Sequence, residues 1–136
     1  MTALIIDNEA DIITLLSEML HDFCPDVDVI GSAYGVIDGI NQIKRLKPDL
    51  IFLDVEMDDG TGFDLLRQLS QTAFRVIFIT AHDKYAIDAF KVSALDYILK
   101  PIDSDDLILA IDKARTSLKR DVLFEQLEVF AATVDL

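Results

Sequence analysis

A single cysteine, Cys24, is all the thiol chemistry this chain has. An internal disulfide is therefore impossible, and a reducing, cytoplasmic setting is the plain expectation. Cys24 stands in "DFCPDV", where it reads as a small packed side chain rather than a reactive thiol. Basic residues are scarce too: 12 Lys and Arg against 25 Asp and Glu give a net charge of −13. That bias disfavours nonspecific nucleic-acid binding and contact with anionic membrane surfaces. No apolar stretch is long enough to span a bilayer. The start, "MTALIIDNEAD", lacks a basic region, so neither a signal peptide nor an anchor is expected. Repeats and low-complexity segments are missing, as are a Walker A loop and a GxGxxG; "GSAYG" (31–35) has the wrong spacing for either.

What is present is a 136-residue chain that is 51% hydrophobic, enough for one compact domain with a real core. Short apolar runs alternate with helical patterns. "ALII" (3–6), "VDVIG" (27–31), "LIFLD" (50–54), "RVIFIT" (75–80) and "DYIL" (96–99) read as strands, and three of them are nearly continuous in Ile, Leu, Val and Phe. Continuous runs suit parallel strands covered on both faces. Ile12, Leu16, Met19, Leu20 and Phe23 recur at helical spacing, as do Ile37, Ile40, Ile43 and Leu46, then Leu107, Ile111, Ala114 and Leu118. Phe63, Leu66 and Leu69, then Ile87 and Phe90, suggest two shorter helices, while Pro25 and Pro48 mark connections. Five βα units in succession predict an α/β fold, a doubly wound (βα)5 three-layer sandwich around a parallel five-stranded sheet. Residues 119–136 continue the last helix, with Leu123, Leu127 and Phe130 on one face, as a linker or a pairing surface.

The residues that follow each strand carry the functional signal. "DNE" (Asp7, Asn8, Glu9) follows the first, Asp54 ends the third, Thr80 ends the fourth ahead of Ala81 and His82, and Lys100 follows the fifth. In a parallel sheet these ends share one edge, which is where ligands bind. Carboxylates from two strand ends suit Mg²⁺, which takes oxygen ligands and keeps several waters. A metal there relieves repulsion between the acids. One carboxylate then serves as a nucleophile toward phosphorus, and an ammonium and a hydroxyl meet the phosphoryl oxygens. Taken singly, Asp7 is a turn residue or cap, Thr80 a cap, and Lys100 a loop residue. Their joint placement, each at the end of a different strand, is what chance does not readily give.

In "LIIDNE", "DLIFLDVEM…G", "FITA" and "DYILKP" the chain resembles the receiver domain of two-component response regulators, over residues 2–118. The resemblance implies a flavodoxin/CheY-like sheet in the order 2-1-3-4-5 and a signalling domain rather than a conventional enzyme. It implies Asp54 as phosphoacceptor, Thr80 and Lys100 against the phosphoryl group, and Mg²⁺ held by Asp7, Asn8, Asp54 and the Glu56 carbonyl. It also implies Tyr97 as an aromatic switch coupled to Thr80, Glu56 and His82 as residues that tune hydrolysis, and a cis Lys100–Pro101 peptide. A sensor histidine kinase is the implied donor and a second copy of the chain an implied partner. "TAHDKYAIDAFKVSALDYILKPI" looks like the LytTR branch, so residues 119–136 are expected to lead to a LytTR-type DNA-binding domain absent from this chain, the only route to DNA; a stand-alone receiver is the alternative.

Two positions depart from the family pattern. Asn8 stands where an acid is usual, which brings an oxygen ligand without charge, so that either weaker Mg²⁺ affinity or a water-mediated role for Glu9 is expected. Asp58 stands where Pro is common. Other functions remain open at this point: a Mg²⁺-dependent hydrolase with Asp54 as nucleophile and Glu56 as acid, and a degenerate receiver that only binds partners. An FMN protein is disfavoured because "DNEAD" would repel a phosphate. Tyr85 and Phe90 in "YAIDAF" read equally as core or as a partner surface.

Overall fold

The structure, a computed structural model, describes residues 1–69 and 73–134. Its main sheet has five strands: β1 (Thr2–Ile6), β2 (Asp28–Ala33), β3 (Leu50–Leu53), β4 (Arg75–Thr80) and β5 (Asp96–Leu99). All pair in parallel, in the order β2-β1-β3-β4-β5. The helices between them are α1 (Ala10–Phe23), α2 (Val36–Leu46), α3 (Gly62–Arg67) and α4 (Ala86–Lys91), followed by α5 (Ser104–Val134). This is the doubly wound α/β architecture expected from the alternation, with β1 and β3 flanking the switch in winding direction.

The winding produces two cores. On one face Leu16 and Leu20 of α1 and Leu107, Ile111 and Ala114 of α5 meet Ala3, Ile5, Phe52, Ile77 and Ile98. On the other, Val36, Ile43, Leu65 and Ala89 of α2, α3 and α4 meet Leu4, Ile6, Ile51, Leu53 and Phe78. Neighbouring strand residues alternate between the two, so β3 and the inner residues of β1 and β4 are continuously apolar because both faces are covered. Burying a side chain such as Phe52 contributes on the order of 2–3 kcal/mol. Cys24 is buried in the first core, as its context suggested.

Some apolar residues at helical spacing point outward instead. Ile37 on α2 and Ile87 and Phe90 on α4 are exposed, Phe90 at 84%, and Phe23 is half exposed. On α4 the packing is carried by Ala89, whose small side chain lets the short helix lie against the sheet. Phe90 is thus surface and Tyr85 is partly buried.

Beyond β3 the chain makes a two-residue hairpin, Glu56–Met57 against Gly60–Thr61, that the apolar pattern did not signal. Two glycines make it possible. Gly60 has φ +145°, open to glycine without strain, and a Cβ on Gly62 would stand 2.6 Å from the Asp54 carbonyl oxygen. Thr61 then caps α3 in a reciprocal pair with Asp64. Asp59 caps α2 from a distance, accepting from the N–H of Val36 (2.7 Å) and Ile37 (3.1 Å).

The last helix runs unbroken through position 118, the expected end of the globular unit. Arg75 binds Ser117 Oγ at 2.6 Å and pairs with Asp121, tying β4 to the helix on both sides of that position. Past it, Leu123, Leu127 and Phe130 are exposed. The helix is roughly 45 Å long at 1.5 Å per residue. Residues 135–136 of the expected linker lie outside the described residues. Among the described residues no helix is long and apolar enough to cross a membrane.

Candidate functional site

At the carboxyl edge of the sheet the strand-end residues meet. Asp7 and Asp54 follow the central strands β1 and β3, whose pairing sets them side by side; both are buried, 2% and 5% exposed. Lys100 Nζ lies 3.0 Å from Asp7 Oδ2 and 3.2 Å from Asp54 Oδ2, with Glu9 at 3.6 Å. Its backbone N–H donates to the Thr80 carbonyl at 2.8 Å, which fixes the base of the side chain, and the following Lys100–Pro101 peptide is cis. Thr80 is fully buried, and its Oγ1 is the one buried side-chain polar atom among the described residues with no hydrogen-bond partner. A buried hydroxyl without a partner is costly. Here it borders the cleft of about 290 Å³ that Asp54, Lys100, Asn8, Glu56 and His82 also line.

The electrostatics show what the cleft lacks. Burial pushes the Asp7 carboxyl up, with the Asp54 charge adding to it; a backbone hydrogen bond from Glu9 and the Lys100 ammonium pull the other way and do not prevail. For Lys100, burial works against the ammonium, but its hydrogen bond to Asp7 and the fields of Asp54 and Asp7 outweigh it and raise its pKa. Two buried carboxylates thus share one ammonium, which leaves a surplus negative charge. Among the described residues no group of three or more His, Cys, Asp or Glu side chains is placed to hold a metal ion by itself. A hard cation that uses two carboxylates, an amide or carbonyl oxygen and water fits this donor set.

The remaining sequence candidates stand at the mouth. Asn8 Nδ2 reaches Asp58 Oδ1 at 3.4 Å. An aspartate at position 8 would face Asp58 with like charge, so the two departures from the usual pattern accommodate each other. The Glu56 N–H points at Asp54 Oδ1 at 3.4 Å, while its side chain turns away from the acids. The carboxylate meets His82 Nε2 at 2.8 Å, the Tyr85 hydroxyl at 2.5 Å and Lys84 Nζ at 3.8 Å. The Tyr85 hydrogen bond is the leading reason that the Glu56 carboxyl lies below the usual carboxylate range. Tyr97 packs against the α2–α4 core, 6.4 Å from the Phe78 ring, and donates its hydroxyl to the His82 carbonyl. The pairings of Tyr85 and Lys84 with Glu56, and of Asn8 with Asp58, are what sequence reasoning missed. For the first two, "HDKY" after β4 was a hint, since it puts a cation and a phenol just past His82.

Comparison with known proteins agrees with this geometry. A family model described as the response regulator receiver domain matches residues 3–112. An uncharacterised response regulatory protein of Vibrio parahaemolyticus is 41% identical over 128 residues, covering 93% of this chain and 52% of its own length. A sensory transduction protein LytT of Bacillus anthracis is 35% identical over 103 residues, covering 74% of this chain and 42% of its own. The chain spans about half the length of the curated relatives it matches. Among solved structures, the response regulatory domain of protein mrkE from Klebsiella pneumoniae superposes with a TM-score of 0.79 at 30% identity, covering 88% of this chain and 99% of that one. The sheet order, the strand-end acids and these matches carry one conclusion: the chain belongs to the response regulator receiver domain family.

Proposed function

We propose that the chain accepts a phosphoryl group on Asp54 from the phosphohistidine of a sensor histidine kinase and changes posture in response. The observation that carries this reading is the convergence of Asp54, Asp7, Lys100 and the unpartnered Thr80 hydroxyl at one strand edge. Asp54 attacks phosphorus in line: a carboxylate oxygen bonds to it as the P–N bond breaks, and the leaving imidazole keeps that electron pair. Lys100 offsets charge on the phosphoryl oxygens, and Thr80 donates its hydroxyl to one of them. Asp7, Asn8, Asp54 and the Glu56 carbonyl would hold Mg²⁺, which would supply positive charge to offset that of the carboxylates and the phosphoryl oxygens.

As Thr80 moves toward the phosphoryl group, Tyr97 trades one posture for another, and its hydrogen bond to the His82 carbonyl is one end of that exchange. The change reaches α4 and β5, because Tyr97 stands on β5 and packs into the core that α4 covers, and β5 leads on into α5. The exposed stripe Leu123, Leu127 and Phe130 suits pairing with a second copy. Beyond it, a LytTR-type DNA-binding domain is the proposed output, and a cytoplasmic location fits a kinase-driven regulator. The alternative, a degenerate or stand-alone receiver acting as a binding module, rests on Asn8 alone.

Incubation with acetyl phosphate and Mg²⁺ followed by intact mass measurement tests the reading. One phosphoryl adduct, absent in Asp54→Ala, is expected. Steady turnover of many phosphate esters would replace the reading with a hydrolase, and no adduct under any condition with a degenerate receiver.

A further inference from the structure

We propose that Tyr85 is a positioning residue that holds the Glu56 carboxylate as a side wall of the cleft and so lengthens the life of the phosphoryl group. The inference rests on the phosphoacceptor reading above. Its ground is a bridge over the cleft mouth. The Tyr85 hydroxyl, after β4, donates to Glu56 Oε1 in the hairpin after β3, 29 residues away in sequence. His82 Nε2 engages the other carboxylate oxygen at 2.8 Å. Both Glu56 and His82 line the cleft, whereas Tyr85 stands behind them. The Tyr85 ring is itself fixed: Lys84 Nζ lies 5.1 Å from its centroid, Phe63 packs at 6.1 Å, and the His82 ring meets it edge-on at 6.3 Å. An exposed glutamate would ordinarily sample many rotamers. Two donors, Tyr85 and His82, with the Lys84 ammonium 3.8 Å away, instead hold this one across the gap between two loops.

Hydrolysis needs water on the side of phosphorus opposite the Asp54 oxygen, which is the open mouth of the cleft. The water oxygen bonds to phosphorus as the P–O bond to Asp54 breaks. That bond's electron pair returns to the carboxylate, and the water's protons leave with inorganic phosphate and bulk solvent. The bridge narrows this approach with side chains held against one another across the gap. Releasing Glu56 opens the wall. The bridge also shares His82 with the Tyr97 hydrogen bond, so the wall and the proposed switch meet in one residue.

The test is the adduct half-life in the full chain. The protein is phosphorylated with acetyl phosphate and Mg²⁺, desalted, and followed by intact mass. Tyr85→Phe keeps the ring and removes the bridge; Glu56→Ala removes its other end; Glu56→Gln keeps an acceptor for the phenol. Expected are a half-life shortened roughly fivefold in Tyr85→Phe and in Glu56→Ala, the size one hydrogen bond supports. The double variant should be no faster than the faster single one, and Glu56→Gln should recover most of the wild-type half-life. An unchanged half-life in Tyr85→Phe, multiplicative effects in the double variant, or Glu56→Gln as fast as Glu56→Ala would each overturn the proposal. Failure of the underlying reading looks different: the wild type then forms no adduct, or Asp54→Ala still forms one, and the wall loses its purpose.

Discussion

Replacing Lys100 by Met tests the electrostatic argument most directly. The ammonium is 11% exposed and sits 3.0 and 3.2 Å from two buried carboxylates. At an effective dielectric constant near 20, each contact is worth about 5 kcal/mol of Coulomb energy. Relief of the lysine's own desolvation returns several kcal/mol, and burial, which already pushes the Asp7 carboxyl up, reduces the loss further. A net loss of about 3 kcal/mol remains, in line with breaking a buried pair from one side. For a domain of this size that is roughly a 10 °C fall in Tm. Methionine keeps the side-chain length and the backbone bond to Thr80, so packing changes little. Calorimetry in EDTA at pH 7 measures the loss. Adding Mg²⁺ should narrow the gap, because a bound cation replaces the missing charge and stabilises by mass action. A variant within 1 kcal/mol of wild type in EDTA, or a gap indifferent to Mg²⁺, would refute the reasoning.

Thr80→Val should leave stability unchanged or raise it by about 1 kcal/mol, since it deletes a buried hydroxyl without a partner; chemical denaturation checks this, and a clear loss would mean the hydroxyl is satisfied in the folded state. The same variant should still take phosphate on Asp54 but lose any change in Tyr97 ring signals on phosphorylation, read by NMR. Asp59 sits below the usual carboxylate range because two α2 N–H groups bind it. Its contribution is therefore full above the ordinary Asp pKa of about 4 and lost as pH falls through the lower folded value. Asp59→Ala should accordingly be less stable than wild type at pH 7, with the gap closing toward pH 2 in urea titrations; a gap that widens on acidification would contradict the sign. Phe130→Glu should weaken self-association in sedimentation equilibrium without altering Tm, and unchanged association would remove the exposed stripe as the pairing face.

The sequence by itself determined the layered fold and the edge where the site lies. Apolar runs such as "LIFL" (50–53) need cover on both faces, and five strand segments alternating with amphipathic helices leave little choice but a doubly wound sheet. The strand-end positions of Asp7, Asp54, Thr80 and Lys100 were legible for the same reason, since parallel strands end on one side. What only the tertiary structure decided are pairings between loops. Glu56 with Tyr85 and His82, Asn8 with Asp58, and Arg75 with Ser117 and Asp121 join residues 26 to 50 apart in sequence. Periodicity records which side of its own element a residue occupies, and it misled even there for Ile37, Ile87 and Phe90, which are apolar yet exposed. It carries no record of which distant loop will stand opposite, because that depends on how the whole sheet twists and how each hairpin closes.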